Sequence, residues 1–202
     1  MTKDSFSHLF KQIILSVLIW VFALSNSYAQ SSYSIQFQDQ HIEFPENINT
    51  FQWSQMPESS KLGQDYYGWV QFYETPDQAT QDLFKAEGLE LLEYIPNKAY
   101  LFKFSQDTSI AFLQSNGVRG IQGIAGEYKL SSVLKNGGYN DWALDGDNIL
   151  VTLQYHKSVS AEYITSDLAN QQIRVVQQYK DSNNIDLSIP NNCLESLSNL
   201  PY

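Results

Sequence analysis

The alternation of apolar and polar residues is clearest between residues 63 and 134, where it predicts four strands. Runs rich in aromatic and β-branched side chains favour strands, above all where every second side chain is apolar. Two stretches with helical spacing lie among them, one before the second strand and one before the fourth. The elements therefore follow the order strand, helix, strand, strand, helix, strand, with strands near residues 69–73, 89–95, 100–104 and 118–124.

The first predicted helix carries start and stop signals. Thr75 is expected to cap its N-terminus, with Pro76 at the first helical position and Gln78 completing a capping box. Gly88 can adopt the left-handed conformation that ends a helix. A second, shorter helix is expected to begin at Asp107. Helical spacing predicts that the first helix buries one face, formed by Ala79, Leu83 and Ala86.

A weaker copy of this order begins at residue 149. Val151 and its neighbours alternate as a strand, and Ser160 can cap a helix. The order is the ferredoxin-like βαββαβ plan, so we predict an α+β fold with two such units, the second lacking its last strand. The sequence ends at Pro201-Tyr202, where that strand would begin. We therefore expect the Val151 strand to keep an unpaired edge, and the chain to be a fragment or to receive a strand from elsewhere.

The predicted organisation starts with a secretory signal peptide at residues 1–29. Two lysines precede an apolar run of eleven residues, which is short for a membrane span, and small residues lead to a cleavage site between Ala29 and Gln30. A retained N-terminal anchor is the alternative. We predict a secreted or periplasmic protein whose mature chain has no membrane span. The signal peptide is followed by an N-terminal arm at residues 30–62 and a first unit at 63–134. A linker at 135–147, in which Trp142 packs onto a domain, leads to a second unit at 148–202.

The charge and the cysteine content exclude several classes of function. The 202 residues carry a formal net charge of −10, and the chain without residues 1–29 carries −11. Nucleic acid is therefore not an expected partner, because its phosphates would be repelled. The single cysteine, Cys193, allows neither an internal disulfide nor a multi-cysteine metal site. It is interpreted as a small buried residue rather than a reactive thiol.

No motif predicts a catalytic, cofactor-binding or metal-binding residue. His41 and His156 lie outside any G-x-S-x-G turn, so both are interpreted as surface histidines. Asp145 begins a stretch that resembles a calcium loop, but its twelfth position holds His156 instead of glutamate, and a turn is the simpler interpretation. Glu90 and Glu93 are close in sequence, yet their polar surroundings favour solvated carboxylates over a pair that acts in acid–base catalysis.

Several short motifs follow one another in the first unit. Val-Gln-Phe stands at residues 70–72, Tyr-Ile-Pro-Asn at 94–97, an aromatic strand at 99–104, Val-Arg at 118–119 and Tyr-Lys-Leu at 128–130. In this order they resemble the N-terminal region of secreted subtilisin-like serine peptidases, especially the large extracellular ones of Bacteroidetes type. The resemblance covers the first unit well and the second unit loosely.

The resemblance implies a pro-region rather than an enzyme. In that family the region precedes the catalytic domain and is similar to ferredoxin-like propeptides, which aid folding and inhibit the protease. The family's catalytic Asp, His and Ser lie downstream, and no residue here matches their motifs. We therefore expect a non-catalytic pro-region whose partner is a subtilisin-like protease domain, in cis or in trans, without a cofactor. A stand-alone secreted binding or protease-inhibitor module is the alternative, and an enzyme with an unfamiliar site is a third.

Overall fold

The computed structural model describes residues 33–37, 40–105 and 108–202. The predicted signal peptide, its cleavage residues Ala29 and Gln30, and the helix start at Asp107 lie outside this part of the chain. Within it, no helix has both the length and the apolar character that crossing a membrane requires.

The described chain has a mixed α+β architecture built on antiparallel sheets. Its strands are β1 (Ser34–Gln36), β2 (His41–Glu43), β3 (Lys61–Leu62), β4 (Asp65–Phe72), β5 (Glu90–Ile95), β6 (Ala99–Ser105), β7 (Val118–Gly123), β8 (Leu144–Asp145), β9 (Asn148–Gln154), β10 (Arg174–Gln178) and β11 (Asn184–Pro190). Its α-helices are α1 (Gln78–Ala86), α2 (Ile110–Ser115), α3 (Gly126–Lys129), α4 (Ser132–Lys135), α5 (Ala161–Asn170) and α6 (Leu194–Ser198). Short 3-10 turns occupy Ile48–Thr50, Trp53–Gln55, Glu58–Ser60, Asp141–Ala143 and Asn191–Cys193.

The larger sheet has the strand order β7–β4–β6–β5, and β3 pairs with the first residues of β4. All these pairs are antiparallel, and Val70 in the central strand lies between Ile121 of β7 and Tyr100 of β6. Every residue of β4 after Asp65 is buried. A strand without polar alternation is covered on both faces, which predicts a layer of protein on each side of this sheet.

Helix α1 differs from the prediction in its start and in its buried face. Asp77, not Thr75, is the N-cap, and its carboxylate accepts a hydrogen bond from the backbone N–H of Thr80 at 2.8 Å. A negative cap also interacts favourably with the helix dipole. Phe84 is fully buried because its ring removes more apolar surface from water than a leucine or an alanine does. The residues predicted to be buried are all exposed: Ala79, Leu83 and Ala86.

Aromatic side chains fill the space between the larger sheet and its helices. Phe84 of α1 meets Phe72 and Phe102 at centroid distances of 5.8 and 6.0 Å, with interplanar angles of 63° and 84°. Such edge-to-face contacts are favoured because the positive edge of one ring meets the negative face of the other. Leu113 of α2 and Val118 of β7 belong to the same core. This layer accounts for one face of β4.

The N-terminal arm covers the other face of the larger sheet. Its strands β1 and β2 form a hairpin in which Ile35 lies opposite Ile42. Both isoleucines are buried and share a core with Trp69 and Ala99, which project from the sheet on the side away from α1 and α2. Further along this face, Tyr67 packs into the core of the second sheet.

The smaller sheet has the strand order β10–β11–β9–β8. Strand β9 pairs with β11 along its whole length, whereas β8 reaches only Asn148 and Ile149 of β9. The expected free edge of the Val151 strand is thus closed at its beginning and open beyond it. One face of this sheet is covered by apolar side chains of α5 and α6, namely Ile164, Leu168, Leu194 and Leu197.

The segment predicted to be a linker, residues 135–147, contributes to the smaller sheet. It contains the turn Asp141–Ala143 and strand β8. Ala143 is buried, so the segment has a folded position. Trp142 was expected to pack onto a domain, but its side chain is 77% exposed. The small alanine beside it occupies the available space in the core.

Candidate functional site

The side chains considered for catalysis or metal binding are spread over several elements of the structure. His41 is on β2, with its Nε2 atom 3.8 Å from the Glu43 carboxylate. Glu90 and Glu93 are both exposed on β5. Cys193 is half-buried, with Sγ 3.7 Å from the Asn192 side-chain oxygen. In the part of the chain that the structure describes, no three His, Cys, Asp or Glu side chains are grouped so as to hold a metal ion.

A buried polar cluster lies at one end of the larger sheet. The Gln71 side chain accepts a hydrogen bond from Arg119 Nη1 at 3.0 Å and donates one to the Asn97 carbonyl at 3.0 Å. Asn97 in turn donates its side-chain N–H to the Ser34 carbonyl. Arg119 is only 8% exposed, and its guanidinium carbon lies 4.2 Å from the ring centroid of Tyr33. These contacts tie the arm to β4, β7 and the β5–β6 turn.

Three motifs that carry the family resemblance meet in this cluster. Gln71 comes from Val-Gln-Phe, Asn97 from Tyr-Ile-Pro-Asn and Arg119 from Val-Arg. Asn97 has a left-handed backbone with φ of 69°, a conformation that asparagine tolerates better than most residues. A buried guanidinium stays favourable only when its donors are matched, and the glutamine oxygen and the tyrosine ring provide such partners. The motifs therefore serve the packing of the arm.

The two sheets meet where Tyr67 of β4 faces the residues that follow β9. The ring of His156 is stacked on that of Tyr67, with centroids 4.3 Å apart and an interplanar angle of 3°. The Tyr67 hydroxyl is 3.0 Å from Ser158 Oγ. Burial, together with the nearby positive charge of Lys129, lowers the pKa of His156 to about 4. The interpretation of His156 as a surface histidine is therefore wrong, since its neutral ring is part of the contact between the sheets.

Lys129, at the end of α3, makes a second contact between the two halves of the chain. Its ammonium donates hydrogen bonds to the Ser59 carbonyl at 2.6 Å and to the Leu200 carbonyl, which lie in different halves of the chain. Burial lowers the pKa of Lys129 to about 8, so the group remains positively charged at neutral pH. An ammonium has three N–H donors, and these two carbonyls use two of them.

The close approach of α3 to α6 depends on a glycine. A Cβ atom on Gly126 would lie 2.6 Å from Asn199 Oδ1 and 2.9 Å from Ser198 Oγ. At the same end of the molecule, the Tyr202 hydroxyl donates to the Asp167 carboxylate at 2.7 Å. Burial and this carboxylate raise the pKa of Tyr202 well above its ordinary value. Lys129 and Tyr202 are thus held in place on either side of the space beside β9.

A cavity of about 360 Å³ occupies this space, and we name it the edge cavity. Its floor is β9 from Val151 to Gln154, and Lys129, His156 and Tyr202 are among the residues that line it. Apolar side chains supply the rest, from Ile124, Leu130, Leu134, Leu194 and Leu197. The volume falls within the range of small ligand pockets, roughly 300–1,000 Å³. A second cavity of about 270 Å³ lies between Trp69, Leu101 and His156.

Comparison with known proteins identifies one similarity. Residues 33–125 match the model of a family described as a domain of unknown function (DUF8729). The matched range contains the arm and the larger sheet, from β1 to β7. No curated protein and no solved structure matches this chain. The match therefore covers the first half of the described chain and assigns no activity.

Sequence reasoning did not find the junction or the edge cavity. In the sequence, Lys129 stands out only as part of Tyr-Lys-Leu, and His156 only as an isolated histidine. Tyr67 and His156 are 89 positions apart, and no local pattern indicates that two such residues stack. The prediction of an unpaired β9 edge was the one signal that pointed to this region.

Proposed function

We propose that this chain is the non-catalytic pro-region of a secreted subtilisin-like serine peptidase, which aids the folding of the protease domain and inhibits it. Its fold would then be two ferredoxin-like units. The order β7–β4–β6–β5 supports this for the first unit, because that plan places its fourth strand beside the first and its third between the first and second. The order β10–β11–β9 supports it for the second unit, with β8 at the position of the absent strand.

The observation that carries the proposal is an accessible sheet face. Propeptides of the resembled family place a sheet against surface helices of the protease. The far face of the larger sheet is not accessible for this, since the arm and the second half cover Trp69, Ala99 and Tyr67. The aromatic strand at Tyr100–Phe104 belongs to that covered sheet.

The smaller sheet offers the face that docking requires. On the face away from α5 and α6, Thr152 and Gln154 are exposed. Val176, in the β-bulge of the adjoining edge strand β10, is 49% exposed. The polar side chains there are already paired with one another: Thr152 and Tyr179 both donate to Asp186, at 2.7 and 2.6 Å. A pre-ordered surface loses little side-chain entropy on binding, which favours docking of a rigid partner.

The first test is to sequence the gene beyond the Tyr202 codon. We expect an open frame that encodes separate Asp, His and Ser motifs of a subtilisin-like domain. A stop codon, with no such domain encoded nearby, would contradict the role in cis. The stand-alone inhibitor would then be tested against subtilisin-like peptidases secreted by the same organism.

The second test locates the docking face by inhibition of that peptidase domain. Val176→Lys places a charge at the exposed bulge of β10, the edge strand of the smaller sheet, and should weaken inhibition about tenfold or more, as expected when an apolar interface residue is replaced. Leu83→Lys is the matched control, because Leu83 is similarly exposed, at 42%, on the outside of α1. Equal inhibition by both variants and the unmodified chain would overturn the placement.

A further inference from the structure

The open edge of β9 presents identifiable backbone groups. The N–H of Tyr155 donates to the Asn183 carbonyl at 2.9 Å, so Tyr155 directs its backbone groups toward β11. Backbone groups in an antiparallel strand alternate between the two sides, so Leu153 and Val151 also face β11, while Thr152 and Gln154 face away from it. Pro190, which has no N–H, lies opposite Asn148 and agrees with this alternation.

Thr152 and Gln154 therefore direct their N–H and carbonyl groups to the side where β8 no longer reaches. Strand β8 pairs with Asn148 and Ile149 only. In the described part of the chain, no backbone group pairs with Thr152 or Gln154 on that side. Both residues line the edge cavity. An occupant that satisfies this edge must supply alternating carbonyl and N–H groups, which an extended peptide does.

The remaining walls define the side chains and the charge of such a peptide. Leu130, Leu134, Leu194 and Leu197 line the cavity and suit apolar side chains. Lys129 also lines the cavity, and no carboxylate in the described chain lies within 4.0 Å of its ammonium. Its two carbonyl acceptors leave one N–H donor for a further partner. A carboxylate is the complementary group, since a charge-assisted bond is stronger than a neutral one.

We propose that the edge cavity binds the C-terminal end of an extended apolar peptide. The peptide adds a strand to β9 through Thr152 and Gln154, and its terminal carboxylate binds Lys129. A cavity of about 360 Å³ is large enough for a few residues, so the bound segment is short. This site lies at the edge of the smaller sheet, and it does not depend on the proposed role as a pro-region.

The binding experiment uses the purified protein and the pentapeptide acetyl-Val-Thr-Val-Thr-Val with a free carboxylate. Addition of the peptide should shift the amide NMR signals of Thr152 and Gln154 and slow their hydrogen exchange. The same peptide with a C-terminal amide should bind about 10-fold to 100-fold more weakly, as expected for loss of a hydrogen bond between charged groups. No binding of the acid at about 1 mM would overturn the proposal.

Thr152→Pro tests the strand addition. Proline removes an N–H that faces the cavity and not β11, so the sheet should still form, and peptide binding should be lost. Thr152→Ala is the matched control: it removes the side-chain bond to Asp186 but keeps the N–H, and binding should be unchanged. Thermal unfolding shows that each variant is folded. Equal binding by both variants would contradict the strand addition.

Lys129→Met tests the carboxylate contact. This variant should bind the acid and the amide peptides equally, whereas Lys135→Met, at an exposed position on α4, should keep the preference for the acid. A preserved preference in Lys129→Met would overturn the assignment. Amides of Thr152 and Gln154 already protected in the free monomer would show that another segment of this chain fills the edge. Protection that increases with protein concentration would show pairing of two copies; either result would also overturn the proposal.

The outcome is separate from that of the proposed function. A protein that inhibits a peptidase but binds no peptide at β9 would contradict only this inference. A protein that binds the peptide but inhibits no peptidase would contradict only the role as a pro-region. The two surfaces are also probed by different substitutions, Thr152→Pro for the edge and Val176→Lys for the face.

Discussion

The two sheets differ in how much of their surface the chain itself covers. In the larger sheet, the central strand β4 is buried on both faces, by α1 and α2 on one side and by the arm and the second half on the other. In the smaller sheet, the corresponding strand β9 alternates between buried and accessible residues, and part of its edge is unpaired. The chain thus covers both faces of the central strand in the larger sheet and leaves exposed residues and part of an edge in the smaller one.

The difference teaches that the arm, and not the order of strands, decides which sheet has its far face covered. The β1–β2 hairpin brings Ile35 and Ile42 onto the larger sheet, and the described second half has no counterpart of this hairpin on the smaller sheet. Burial of this apolar surface stabilises the fold of the first half. We expect the first half to govern stability and the second half to govern binding.

The largest effect should come from the aromatic core of the first half. Phe84→Ala removes a fully buried ring and should lower the free energy of unfolding by about 3–5 kcal/mol. Leu83→Ala, one position away on the exposed side of α1, should cost less than about 1 kcal/mol. Urea unfolding monitored by circular dichroism measures both values. Similar losses in the two variants would mean that α1 buries the face predicted from the sequence.

The contact between the halves should weaken in acid. Because the pKa of His156 is lowered from 6.5 to about 4 by burial, the unfolded chain binds a proton more readily than the folded chain. The free energy of unfolding should therefore fall by up to about 3 kcal/mol as the pH drops from about 6.5 to 4. Unfolding of the unmodified chain and of His156→Phe, which keeps a stacked ring, is compared across this range. An equal decrease in both would exclude His156 as the cause.

One added methyl group at Gly123 should disturb the packing of Met56 and Pro57 on the larger sheet and lower the stability of the protein. A Cβ atom on Gly123 would overlap the ring of Pro57 and come within 3.2 Å of Met56 Sδ, so Gly123→Ala should cost about 1–3 kcal/mol. Gly138→Ala is the control, because its nearest atom, the Val133 carbonyl oxygen, is 3.9 Å away. Thermal unfolding distinguishes them. A tolerated Gly123→Ala would mean that this cover is loosely packed and that the two sheets differ less than their burial indicates.

The smallest change in the free energy of unfolding should come from the helix N-caps, which are present in both halves. Asp77→Ala in the first half and Ser160→Ala in the second each remove a side-chain acceptor from a helix N-terminus and should cost about 1 kcal/mol. Thr75→Ala, at the cap expected from the sequence, should change stability by less than about 0.5 kcal/mol. Urea unfolding at one pH compares the three. A larger loss at Thr75 than at Asp77 would restore the predicted cap.

Local patterns predicted the elements well where a signal lies within a few residues. The Ser160 cap and the alternation of β9 follow from neighbouring residues and are present in the structure. The partly open edge of β9 was expected from the order of elements and is also present. The buried face of α1 was mispredicted because apolar residues occur on more than one side of this helix. Only contact with the sheet determines that Phe84 is the buried one. Likewise Ala143 rather than Trp142 enters the core, since the space available there suits a small side chain.

The sequence by itself determined a mixed α+β chain of antiparallel strands, because hydrophobic period and turn residues act over a few positions. Only the tertiary structure decided which surfaces are covered. The buried bond between Arg119 and Gln71, the stack of His156 on Tyr67 and the bonds from Lys129 to Ser59 and Leu200 join residues 48 to 89 positions apart. Such contacts depend on how the layers pack against one another, and that packing closes one sheet and leaves the edge of the other open.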